Sequence, residues 1–153
     1  MPEAQIVGES EPETIERRRM AVEARDYLCS FHWCKGVRSI HMGLGIGGVV
    51  GVFLAELTEP AGTTDKYLWV VVGDMPSAYL VTEQAATPVD ALRIYCDLMD
   101  DWANAVKKGT GIESVFPVAA DPTVENAENL LKRVSFLRRV VIPRFTIGGL
   151  GGK

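Results

Sequence analysis

Histidine is almost missing from this chain: two in 153 residues. With so little of the side chain that most often moves protons near neutral pH, no acid–base pair is legible, and the sequence points away from catalysis. Cysteine is scarce too, three residues, an odd set without the density of a disulfide scaffold. Reduced thiols and a cytoplasmic setting are the expectation. Residues 1–11 are acidic and have no apolar stretch of the kind a secretory signal needs. The longest run without Asp, Glu, Lys or Arg, Ser39–Ala55, has 17 residues and five glycines. That falls short of the roughly 20 apolar residues a spanning helix requires, so it reads as buried β-structure and no membrane contact is expected. Nor is there an excess of positive charge. Sixteen basic against twenty acidic residues leave a net −4, which disfavours general nucleic-acid binding. The clusters Arg17-Arg18-Arg19 and Arg138-Arg139 read as solvated helix faces.

What is present is the material of a folded protein, 47% hydrophobic and 24% charged. The length fits a single domain, 1–153, with 1–9 and 144–153 as flexible tails. Ser10-x-x-Glu13 is a capping box, and Met20, Ala24, Tyr27, Leu28 and Phe31 follow at helical spacing, predicting a helix over 11–30. From Val37 to Thr82 the pattern turns to β. Val49–Leu57, Lys66–Val72 and Ala78–Thr82 read as strands, with Ile40–Ile46 as a fourth ahead of a Gly47-Gly48 turn. The connections are too short for crossover helices, so the strands should be antiparallel. Thr87-Pro88-Val89-Asp90 opens a second helix that Gly109 stops. Asp121-Pro122 caps a third, with Val124, Ala127, Leu131, Val134, Leu137 and Val141 as its stripe and Pro143 as its end. The fold class is α+β: a three- to four-stranded antiparallel sheet covered by three helices, order α-β-β-β-α-α.

Several constellations could carry chemistry. Cys29, His32, Cys34 and His41 are four zinc-capable donors within thirteen residues, at no recognised spacing, and Cys34 beside a histidine is the minimal thiol–imidazole pair. Gly43-Leu44-Gly45-Ile46-Gly47-Gly48 fits G-x-G-x-x-G, but Val49-Val50-Gly51-Val52-Phe53 is a poor helix start, which favours a glycine-rich turn over a dinucleotide loop. Asp97, Asp100 and Asp101 could hold a hard cation, though a solvated acidic face is the simpler reading. Gly73-Asp74-Met75-Pro76-Ser77-x-Tyr79 is a turn that would gather Asp74, Ser77 and Tyr79, with Trp69, into a binding site at one end of the sheet. The Gly148-Gly149 and Gly151-Gly152-Lys153 ending reads as a glycine tail.

The stretch Lys66–Leu80, followed by a Thr-Pro-capped helix, resembles a family of small bacterial proteins of unknown function. These carry a Trp-containing strand, then Gly-Asp-Leu-Pro-Thr-Asp-Tyr, then a helix with a tryptophan. Trp69, Gly73, Asp74, Pro76, Tyr79 and Trp102 match that pattern over about forty residues, while Met75, Ser77 and Ala78 depart from it. The resemblance implies an α+β fold with a short antiparallel sheet and a bacterial or phage origin, and it carries no activity with it.

The functional expectation is a non-enzymatic protein-interaction module that self-associates or binds a protein partner, without a cofactor. Long apolar strands and Trp33, Trp69 and Trp102 motivate it, and an immunity or defence-accessory role suits such a module. The alternative is a small-molecule- or metal-binding protein or enzyme, using the Cys29/His32/Cys34/His41 group or the Gly43–Gly48 loop.

Overall fold

The computed structural model describes residues 2–58, 66–118 and 120–146. They form an α+β arrangement with one antiparallel sheet and three long helices, in the order α-β-β-β-β-α-α. The predicted break at 59–63 and the glycine tail from 147 lie outside the described residues. The chain divides into two compact units, Met1–Ala91 and Leu92–Lys153.

In the first unit, helix α1 spans Glu11–Cys29 and precedes strands β1 (Val37–Ile46), β2 (Val50–Leu57), β3 (Tyr67–Gly73) and β4 (Ala78–Val81). The strands pair in sequence order as a meander, β1 and β4 at the edges. The segment Ile40–Ile46 is therefore a strand, and the glycine-rich loop that follows is a hairpin turn. Val49 N–H donates to Ile46 C=O (2.9 Å), and Gly48 sits at φ +76° in the third turn position, where glycine is favoured. A strand rather than a helix follows it, so the geometry of a dinucleotide loop is not formed.

Alternation assigns each strand residue to a face. Met42, Phe53, Val70 and Tyr79 align across the four strands, and Phe53 and Val70 join a core with Met20, Ala24 and Leu28 of α1. Leu44, Val52 and Val71 align on the other face and are buried as well, so β2 and β3 read as continuous apolar runs. Between Met42 and Leu44 the register slips by one residue at Gly43, and this bulge is what switches Leu44 to the second face.

The N-terminal segment, expected to be a flexible tail, is fastened instead. Ile6 is fully buried in the α1–sheet core. Its carbonyl accepts from Arg18 Nε (2.9 Å), Gly8 N–H donates to Thr14 Oγ1 (2.7 Å), and Pro2 forms an isolated bridge with His41. One apolar side chain with satisfied backbone around it holds a segment whose composition reads as polar.

The capping box is half realised. Ser10 Oγ accepts from Glu13 N–H (3.3 Å), as expected of an N-cap. The Glu13 carboxylate turns elsewhere: Oε2 accepts from Arg17 Nε (2.7 Å) and from the Gly47 N–H (2.7 Å), tethering the β1–β2 turn to the first turn of α1. A charge-assisted bond to a partly buried amide outweighs the local reciprocal one. Glu13→Ala is expected to cost about 2 kcal/mol in urea unfolding, and Glu13→Gln, which keeps an acceptor oxygen, about 1 kcal/mol. Equal effects of the two would show that the charge is irrelevant to the tether.

In the second unit, residues from Leu92 onward continue helix α2 (Pro88–Lys108), and α3 spans Val124–Phe136. Leu92, Tyr95, Cys96, Met99 and Ala103 are fully buried, and Trp102 nearly so. Thr123, rather than Asp121, caps α3, accepting at Oγ1 from Asn126 N–H (3.1 Å). Thr123 itself is extended (φ −108°, ψ 152°), so the helix begins one residue after it and not at Pro122. The buried stripe is Ala127, Leu130, Val134, Leu137 and Val141, with Leu130 in the place predicted for Leu131 and Val124 exposed. Pro143 does not end the helix. A wide π-turn, Leu137–Val141, precedes it, and helical structure continues to residue 146. A π-turn shifts the hydrogen-bond ladder, which accommodates a residue lacking an N–H. Among the described residues no helix is long and apolar enough to cross a membrane.

Candidate functional site

The last turn of α1 and the facing side of β4 build the most distinctive surface. Tyr27 leaves the last turn of α1, and Phe31 stands two residues past its end, where its N–H donates to Leu28 C=O (3.1 Å). Their rings meet edge to face at 5.2 Å between centroids. Phe31 stacks on Trp33 (5.5 Å, 20° between planes), and Tyr79 from β4 closes the group, 5.3 Å from each of Phe31 and Trp33. None of the four rings is fully buried. Tyr27, Trp33 and Tyr79 rest on the α1–sheet core beneath them. Burial, with Tyr79 alongside, pushes the Tyr27 phenol up to about 12, so it stays neutral across the physiological range. Edge-to-face aromatic pairs are worth roughly 0.5–1.5 kcal/mol beyond their buried area, which makes this a pre-organised, partly exposed aromatic platform.

Of the four residues assigned to the Gly73–Tyr79 turn, the structure brings only Tyr79 to this platform. Trp69 pairs with Leu80 and Val70 with Tyr79, so Trp69 and Tyr79 point to opposite faces of the sheet. Trp69 is 6% exposed, with Nε1–H donating to Ala85 C=O (2.9 Å), which makes it a core residue. Trp102 is likewise buried at 3%. The expectation of three tryptophans as surplus surface reduces to Trp33. Asp74 is exposed in the β3–β4 connection, and Ser77 is partly buried just before β4. Asp74 lines a groove of about 530 Å³ with Glu16, Arg19, Glu23, Asp26 and Gly73. Arg19 is paired with Glu16, which leaves an acidic cleft.

The four predicted metal donors are not gathered. His41 is exposed on edge strand β1, and His32 is exposed beyond the end of α1. Among the described residues no group of three or more His, Cys, Asp or Glu side chains is placed to hold a metal ion. Strand pairing carries His41 away along the sheet, a separation invisible in a thirteen-residue window. Cys29 is exposed and Cys34 half-buried, both as free thiols. Burial, and then the neighbouring Cys34, raise the Cys29 thiol above its ordinary range. Cys96 is buried in the second unit and pushed up to about 12.

The Asp97/Asp100 pair is engaged by a cation that the sequence reading had placed on a plain helix face. Arg138, inside the π-turn, reaches Asp97 Oδ1 and Asp100 Oδ2, both at 2.7 Å. The signal available in the sequence was the Tyr27-x₃-Phe31 pair for the platform; for Arg138 there was none, since its partners lie about forty positions away.

No protein-family model, curated protein or solved structure matches this chain. The fold and the surface together define an α+β protein built on a four-stranded antiparallel meander, with an aromatic platform beside its short edge strand.

Proposed function

We propose that this chain is a protein-interaction module that self-associates through β4 and the aromatic platform of Tyr27, Phe31, Trp33 and Tyr79. The observation that carries this reading is the platform itself: four rings in mutual contact, none fully buried, beside an edge strand. Tyr and Trp are the residues most enriched at interface cores and energetic hot spots, because they bury much area for little entropy. Strand β4 pairs with β3 on one side, and an edge strand presents amides and carbonyls ready for a further strand. A second copy related by a two-fold axis would lay β4 antiparallel to β4 and ring against ring, a self-complementary contact. The modest net charge of −4 offers little repulsion between copies.

The test is sedimentation velocity across a wide concentration range on the wild type and on Trp33→Ala and Tyr79→Ala. A reversible dimer is expected, weakened about tenfold or more by each substitution, as for hot-spot truncations. A monomer at every concentration, or a dimer indifferent to both substitutions, overturns the reading.

A further inference from the structure

The second unit holds a charge asymmetry that the whole-chain total hides. From Asn129 onward the sequence has six of the chain's sixteen basic residues and none of its twenty acidic ones, so the remainder carries ten against twenty. Helical structure runs from Val124 through the π-turn to residue 146 and sorts these residues by side. Leu130, Val134, Leu137 and Val141 are buried, three or four positions apart, and mark the inner face. On the opposite side Lys132, Arg133, Phe136, Arg139 and Val140 follow at helical spacing. All five are exposed, Phe136 by 40% and Val140 by 44%. Arg144, also exposed, extends the stripe, its guanidinium carbon 5.9 Å from the Phe145 ring. Neighbouring carboxylates are engaged by other cations: Asp97 and Asp100 accept from Arg138, and Glu128 pairs with Lys107 (3.7 Å). Glu125 stands on the outer side about two turns before Lys132 and bounds the face there.

Two exposed apolar side chains among cations, on a convex helix, have a defined complement: a surface negative at its boundary and apolar just beneath. We propose that this face docks on an anionic lipid bilayer. The helix lies in the interface plane, Phe136 and Val140 enter the headgroup boundary, and Lys132, Arg133, Arg139 and Arg144 meet lipid phosphates. Such contact needs no spanning segment, and among the described residues no helix is long and apolar enough to be one. A nucleic acid matches the cations and can stack on Phe136, but it offers Val140 no apolar contact. A bilayer takes both side chains at once. The face lies on the second unit and the aromatic platform on the first, so this proposal does not rest on the self-association reading.

The experiment is co-sedimentation of the purified full chain with vesicles of phosphatidylglycerol and, separately, of phosphatidylcholine, at low and high salt. Wild type is expected to pellet with phosphatidylglycerol alone and to be released as salt rises. The pair Lys132→Gln and Arg139→Gln should weaken binding about twenty-fivefold, near fivefold for each charge withdrawn from the lipid surface. Phe136→Ser should weaken it roughly fivefold with the charge unchanged, because a half-exposed ring no longer enters the bilayer. The pair Lys35→Gln and Arg38→Gln removes the same charge from exposed positions of the first unit and should bind as wild type. All the substituted side chains are exposed, so the unfolding midpoints should stay at the wild-type value. No binding to phosphatidylglycerol, or equal loss in the two charge-removed pairs, overturns the proposal. So does tighter binding to a single-stranded oligonucleotide or to polyglutamate than to the vesicles.

Discussion

Gly73→Ala is expected to destabilise the first unit by roughly 4 kcal/mol, lowering the midpoint of thermal unfolding by about 10 °C. Gly73 closes β3 at φ +142°, a conformation that side-chain-bearing residues rarely adopt. A Cβ built there would lie 2.3 Å from the Val49 carbonyl oxygen, 2.8 Å from Val50 Cα and 2.9 Å from the Val49 carbonyl carbon. All three are backbone atoms of the adjoining hairpin, so no rotamer change relieves the clash. Relief requires β3 to move away from β2 at the Val50↔Gly73 pair, and Asp74 N–H donates to that same Val49 oxygen (3.0 Å). Gly109→Ala is the control. It also has positive φ, +70°, but nothing lies within 4 Å of the added carbon, so its cost should be about 1 kcal/mol. Urea unfolding of both variants separates clash from conformational strain. A Gly73→Ala cost no larger than that of Gly109→Ala would show that the β2–β3 end adjusts freely.

Gly73 also marks what a sequence can show. The glycine was readable as a turn residue because turns use residues that tolerate unusual φ, but the carbonyl that makes it irreplaceable belongs to a hairpin more than twenty positions earlier. The same boundary runs through the rest of the molecule. Helix α1, its Ser10 cap, the Gly47-Gly48 turn and the Thr87 cap of α2 are local patterns, and each forms as read. Ile6, Glu13 and Arg138 act over distance. Ile6 lies beside Val7 in a short, otherwise mostly polar stretch, Glu13 chooses the Gly47 amide over its own helix end, and Arg138 leaves its helix face for Asp97 and Asp100. At the candidate surface, Tyr79 was legible as part of a distinctive turn. Its partners Tyr27 and Phe31 read as helix stripe and Trp33 as surplus apolar surface without a place, because only the tertiary fold sets β4 beside the end of α1. Trp69 was assigned to the same site for want of the strand register. The connection from Gly73 to Ala78 sets which side chains share a face, and that register is fixed by pairing rather than by composition.

Trp69 supplies the sharpest separation of core from surface. Trp69→Ala is expected to cost roughly 4 kcal/mol and Trp69→Phe roughly 2 kcal/mol. The larger figure is the price of removing an indole from a site 6% exposed, leaving a cavity among well-packed neighbours such as Leu80 and Leu54, its cross-strand partners. The smaller one combines a partial loss of volume with an Ala85 carbonyl whose indole donor, at 2.9 Å, has gone. Phenylalanine restores most of the packing but has no N–H, so the difference between the two variants isolates the ring volume. Both changes fall on the face of the sheet opposite Tyr79, which leaves the platform rings where they are. In urea unfolding Trp69→Phe should lower stability while its dimer dissociation constant stays within about twofold of wild type, because the substituted side chain lies outside the contact. Were Trp69 instead a binding anchor, the pattern would invert: stability near wild type and association lost. A residue that looks like part of one motif on the chain belongs, by the parity of a single strand pair, to the support rather than to the surface it supports.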